Sequence, residues 1–77
     1  MNVTTYGVDL ATNVFQIHGA DARGKALVRK RLSRKKLLAY FANRPHSVIG
    51  LEACGSSHYW ARRLRALGHE VRQISPQ

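Results

Sequence analysis

The sequence predicts a small α/β domain built on a mixed five-stranded sheet, with its elements in the order β-β-β-α-β-α-β. Three observations carry that expectation. Two neighbouring stretches alternate apolar and polar residues across a connection of hairpin length. Two helical stretches each stand between strand-like runs. Glycine, proline or serine marks most of the boundaries. Two strand–helix–strand units require parallel neighbours joined by crossovers, while the first three strands form an antiparallel meander. The 77 residues suffice for one small domain, of a size that buries only about 60% of its unfolded surface.

Taken in order, Val3 to Leu10 reads as the first strand, with β-branched and aromatic residues and Asp9 near its end. Ala11-Thr-Asn13 breaks it. Val14 to Ala20 alternates, placing Phe15, Ile17 and Gly19 on one face and Gln16 and His18 on the other. Asp21-Ala-Arg-Gly24 is a turn, so Lys25 to Leu32 should return antiparallel. Ser33 offers an N-cap to a helix over Arg34 to Asn43, with Leu37, Leu38 and Phe41 as its apolar stripe. Asn43-Arg-Pro45 stops that helix. Ser47 to Ala53 is a nearly continuous apolar run, the pattern of a strand buried on both faces. A second helix over Ser57 to Leu67 carries Trp60, Leu64 and Leu67 on one stripe, and Gly68 suits its C′ position. His69 to Ile74 is the last strand.

Thirteen Lys and Arg against four Asp and Glu give a formal charge of +9. On so short a chain that charge favours a polyanionic partner, most often nucleic acid. The alternative is a solvated basic surface. The cations concentrate in Arg29, Lys30, Arg31, Arg34, Lys35 and Lys36, at the end of the third strand and the start of the first helix. Three cations in a first helical turn oppose the macrodipole, at a few tenths of a kcal/mol each (~). No apolar run reaches the roughly 18 residues of a membrane span, and no signal peptide is evident. The single cysteine, Cys54, excludes an internal disulfide and fits a reducing compartment. These features lead to the expectation of a soluble, cytoplasmic chain without membrane contact.

Two of the four acids stand at the ends of apolar strands. If the fourth strand lies parallel and next to the first, Asp9 and Glu52 meet at the carboxyl edge, where open α/β sheets place their sites. Two such carboxylates repel and call for a shared proton, an arginine or a divalent cation. Hard oxygen ligands that meet phosphate suit magnesium or manganese. Pairing of Glu52 with an arginine, and capping of the Thr12-Asn13 turn by Asp9, explain the same residues without a metal.

The blocks Gly7-Val-Asp-Leu-Ala-Thr-Asn-Val-Phe-Gln-Ile-His-Gly19, Gly24-Lys25, Arg29-Lys-Arg-Leu-Ser-Arg34, Ile49-Gly-Leu-Glu-Ala-Cys-Gly-Ser-Ser-His-Tyr-Trp-Ala-Arg62 and Leu67-Gly-His-Glu-Val71 resemble the start of the DEDD transposases of the insertion sequence 110 family. The resemblance covers essentially the whole chain. It implies an RNase H-like, RuvC-type fold in which four acids (Asp, Glu, Asp, Asp) bind magnesium or manganese and cut DNA during transposition. Asp9 matches the first acid and Glu52 the second. The family also implies homo-oligomers, a guide RNA from the element and a serine-bearing C-terminal domain. Two departures stand out. Thr12 occupies a position where the family commonly has lysine. The third and fourth acids belong to an Asp-x-x-Asp segment beyond a Pro-Gln like Pro76-Gln77. The chain is therefore expected to be the N-terminal part of a transposase catalytic domain, holding two of four acids and inactive alone. The competing readings are a non-catalytic basic nucleic-acid-binding module and a dimerisation piece.

The remaining candidates are weaker. Gly55-Ser-Ser57 before a helix reads as a turn with a serine cap rather than an anion site. His18, His46, His58 and His69 lack metal-ligand spacing with one another or with Cys54. Trp60 belongs to the apolar stripe and is expected in the core, and Cys54 is expected to be an inert thiol.

Overall fold

A computed structural model of the chain describes residues 3–10, 14–52 and 56–74. It contains β1 (Thr5–Leu10), β2 (Val14–Ala20), β3 (Ala26–Ser33), α1 (Arg34–Ala42), β4 (Val48–Glu52), α2 (Ser57–Ala66) and β5 (Glu70–Ile74). The strands form one sheet in the order β3-β2-β1-β4-β5. The β1–β2 and β2–β3 pairs are antiparallel, and the β1–β4 and β4–β5 pairs are parallel. The expected element order and the mixed five-stranded sheet both appear.

Both helices pack on the same face of this sheet. Tyr6 and Val8 of β1, Phe15 and Ile17 of β2, Ile49 and Leu51 of β4 and Val71 of β5 point toward them. Leu37 and Phe41 of α1 and Trp60, Ala61 and Leu64 of α2 complete a single core. Aromatic edges meet aromatic faces inside it, with Phe15 and Trp60 centroids 5.1 Å apart and Tyr6 and Phe41 4.9 Å apart, a geometry favoured by ring quadrupoles. Trp60 thus belongs to the core, as expected, whereas Leu67 is 39% exposed beyond the end of the stripe. Gly19 is needed where it stands: a Cβ there would lie 2.8 Å from Val3 Cγ1 and 3.0 Å from the Tyr6 ring.

The expectation that β4 is buried on both faces is corrected. Its burial alternates, with Ile49 and Leu51 covered and Glu52 exposed. Val48 and Gly50 occupy the outward positions, and their lack of polarity hides the alternation from the sequence. No described helix covers that outer face. Glu52 is consequently solvated, and the desolvation penalty of a buried charge does not arise.

Local chemistry explains the connections. In the β2–β3 turn, Asp21 Oδ1 accepts hydrogen bonds from the backbone N–H groups of Arg23 (3.0 Å) and Lys25 (2.9 Å), an Asx-type turn. Gly24 supplies the left-handed backbone there, with φ +85°. Ser33 stands at the N-cap of α1 but makes no side-chain cap bond. Helix α2 ends in a Schellman motif. The N–H of His69 bonds Leu64 O at 3.3 Å, the N–H of Gly68 bonds Arg65 O at 2.9 Å, and Gly68 has φ +95°.

His69 ties the layers together and was not singled out by the sequence. It is 4% exposed. Its Nδ1 accepts the backbone N–H of Ser47 at 3.2 Å, and its Nε2 lies 2.8 Å from Phe41 O. With Nδ1 accepting, Nε2 carries the proton and donates, which fixes a neutral tautomer. One ring joins the end of α1, the approach to β4 and the approach to β5.

Candidate metal and nucleic-acid site

The sheet register decides which outward side chains are neighbours. Parallel pairing of β1 with β4 runs from Thr5 opposite Val48 to Val8 opposite Leu51. One residue further along both strands stand Asp9 and Glu52. Both are exposed, and both share the parity of the uncovered face. The row continues on either side: Gln16 is opposite Asp9, Arg31 is opposite Gln16, and Ile74 is opposite Glu52. A second row, one pleat back, reads Arg29, His18, Gly7, Gly50 and Arg72. The uncovered face thus carries two carboxylates at its centre, cations at both margins and two glycines behind the acids.

The other two acids are already engaged. Asp21 closes its turn. Glu70 Oε2 accepts a 2.7 Å charge-assisted bond from Arg72 Nε, an exposed pair of small energetic weight. Among the described residues neither Asp9 nor Glu52 has an ion-pair partner, so the arginine-paired reading of Glu52 finds no support there. The proposed capping of the Thr12-Asn13 turn lies outside the described residues, as do Cys54, Gly55 and Pro76-Gln77. Asp9 and Arg31 instead line one open cavity of about 450 Å³, together with Val14, Gln16, Leu32 and Ser33.

Magnesium or manganese characteristically binds through one or two carboxylates, completing its shell with water and substrate phosphate. Two solvated carboxylates on adjacent strand ends, without an ion-pair partner among the described residues, fit that partial role. No third ligand joins them: among the described residues no group of three His, Cys, Asp or Glu side chains could hold a metal ion.

The six cations singled out in the sequence do not form one patch. Arg29 and Arg31 project from the uncovered face, where they line a cavity of about 360 Å³ with Gln16, His18 and Lys30. Lys30 has the opposite parity and sets its Nζ 5.3 Å from the Tyr40 ring centroid. The Arg34 guanidinium stacks 5.8 Å from the Trp60 ring. Lys35 and Lys36 are exposed in the first turn of α1. The pleat separates what the sequence runs together.

No family model matches the chain. Curated relatives do. It is 48% identical over its full length to a protein of Pseudomonas aeruginosa named "Probable family 20 transposase". It is 43% identical over 99% of its length to the transposase for insertion sequence element IS1328 of Yersinia enterocolitica. The transposase for insertion sequence element IS1111A of Coxiella burnetii is 33% identical over 99% of the chain. By sequence, the chain is a relative of insertion-sequence transposases. It spans 23%, 23% and 21% of those three proteins, less than a quarter of each. The transposase resemblance read from the sequence blocks therefore holds along the whole chain. Among the described residues no helix is long and apolar enough to cross a membrane.

Proposed function

We propose that this chain is the N-terminal part of a transposase catalytic domain of RNase H-like, RuvC type, carrying the first two of four carboxylates that cut DNA. The observation that supports the reading most is the arrangement of Asp9 and Glu52. Both are solvated and unpaired among the described residues, and they stand one step beyond the last hydrogen-bonded partners of parallel strands β1 and β4. Asp9 and Glu52 would hold magnesium or manganese between them and a DNA phosphate. Bound there, the metal would supply Lewis-acid stabilisation of the charge that develops on phosphate oxygens. Arg31 and Gln16, next in the same row, would orient the strand, and Arg29, Lys30, Arg34, Lys35 and Lys36 would add attraction to the phosphate backbone.

Two carboxylates make half of a four-acid constellation, so the isolated chain is inactive in this reading. Incubated with supercoiled plasmid and magnesium, it should nick no faster than a protein-free control. In a whole transposase containing this segment, Asp9→Asn and Glu52→Gln should each reduce cleavage by about a hundredfold or more, the scale seen when one electrostatic stabiliser is removed. DNA binding should persist. Cleavage that survives either substitution refutes the assignment.

A second reading is favoured by one observation: thirteen Lys and Arg stand against four Asp and Glu, so most of the cations have no carboxylate to pair with. The basic surface is then itself the function, in a nucleic-acid-binding module. The double variant Asp9→Asn, Glu52→Gln separates the two. A binding module keeps its only activity, whereas a transposase loses cleavage and keeps binding.

A further inference from the structure

On the helix-covered side, at the end of β1 remote from Asp9, two tyrosines and two cations converge. Tyr6 is 3% exposed, and its hydroxyl lies 3.5 Å from that of half-buried Tyr40. The Arg44 guanidinium stacks over the Tyr40 ring at 4.4 Å, and Lys30 Nζ lies 5.3 Å from the same centroid. These four side chains, with Val3 and Val28, line a cavity of about 210 Å³. We propose that this cavity is a binding site for a phosphate oxyanion, whether a nucleic-acid backbone phosphate or free phosphate. It lies on the opposite sheet face from the acid pair and does not depend on it.

Three features build the site. The first is charge: the lining carries two cations and no carboxylate, and neither Lys30 nor Arg44 has an ion-pair partner among the described residues. The α1 C-terminus nearby contributes a partial negative charge of about half an elementary unit. Two full positive charges outweigh it. The second is preorganisation. The cation–π contact of Arg44 with the Tyr40 ring, 4.4 Å to the centroid, holds the guanidinium beside the cavity, and a guanidinium fork suits bidentate recognition of phosphate.

The third is the tyrosine pair. At 3.5 Å the hydroxyls are well beyond the ordinary O–H···O length of about 2.7–2.8 Å. Two hydroxyls own two protons and their mutual bond uses one, so a donor remains for an oxyanion. Burial, with the Tyr40 hydroxyl bond next, pushes Tyr6 up to about 12. The hydroxyl therefore keeps its proton, and its donor capacity, at neutral pH. Gly19 makes room for this arrangement, since a Cβ there would displace Val3 and Tyr6, both in the wall.

Titration of the isotope-labelled chain with inorganic phosphate, and separately with a short oligothymidylate lacking terminal phosphates, tests the site by nuclear magnetic resonance. Both probes should shift the backbone amides of Tyr6, Tyr40 and Arg44 and the Arg44 side-chain Nε–H. Shifts with phosphate alone assign a free-anion site, and shifts with both assign a backbone subsite. Arg44→Gln should weaken the response on the order of tenfold, as expected for a charge-assisted bond. It should also lower the salt slope for the oligonucleotide by about 0.7. Tyr40→Phe keeps the ring and should weaken the response less. Melting curves check that both variants fold. Both titrations are run in EDTA, so failure of the metal-site reading would be seen separately. No shift at these amides with either probe, or shifts unaltered in folded Arg44→Gln, overturns the proposal.

Discussion

Neutralising one member of the acid pair should stabilise the metal-free chain. The side chains at positions 9 and 52 spring from adjacent parallel strands, which lie about 4.8 Å apart. At ~5 Å the Coulomb repulsion between two carboxylates is about 0.8 kcal/mol in water and about 3 kcal/mol at an effective dielectric near 20. Both groups are exposed, so the lower figure governs, further reduced by salt. Asp9→Asn or Glu52→Gln should therefore contribute ~0.5–1 kcal/mol, or roughly 2–8 °C in melting temperature for a domain of this size. Divalent cation should reverse the ranking if the pair holds it as proposed. At ten times its dissociation constant magnesium adds about 1.4 kcal/mol to the wild type and little to either variant. Melting curves in low salt, with EDTA or with magnesium, read both effects. If wild type and variants melt together in EDTA and respond alike to magnesium, the two carboxylates are not a coupled pair and the metal-site reasoning fails.

Two further outcomes follow from the interior. His69→Ala removes the acceptor for the buried Ser47 N–H and the edge contact with Phe41, whose centroid lies 5.5 Å away. An orphaned buried donor costs about 1–3 kcal/mol and the ring contact ~0.5–1.5, so urea unfolding should show a loss of ~2–4 kcal/mol. A loss no larger than that of His18→Ala, on the exposed face, would refute the bridging role. Tyr6, raised from 10.0 to about 12, holds its proton more tightly folded than unfolded. Its contribution is complete below about pH 10 and declines as pH rises toward 12. Unfolding midpoints of wild type and Tyr6→Phe should converge across that window, and curves that stay parallel would show that burial does not hold the proton.

Much of the fold was legible because most elements carried their own local pattern. The alternation in β2, the stripe around Trp60 and the glycines after Asp21 and Leu67 each spoke for themselves. β4 misled because its outward positions are Val48 and Gly50, which look apolar without being covered. The acids were legible as a pair since strand polarity and register alone bring them together. The cations were not. Arg29, Lys30 and Arg31 are one run in sequence, and a strand sends its middle member to the other face. His69 and the Tyr6–Tyr40–Arg44 grouping depend on partners more than twenty residues away, beyond any local signal.

Gly7 and Gly50 face one another across β1 and β4, directly behind the acids. Nothing lies within 4 Å of a Cβ built on Gly7, so the chain's own packing sets no demand for a bare position there. Glycine still weakens a strand interior. At Gly7 its effect is felt on the outside, where the sheet presents a peptide plane instead of a side chain, whereas Ile74 Cδ1 crowds the outer side of Gly50. A rigid polymer can lie closer to the sheet over Gly7 than over any side-chain-bearing position. In the proposed site, the depth at which a phosphate would meet Asp9 and Glu52 is set by a residue that itself contributes no contact atom beyond the backbone.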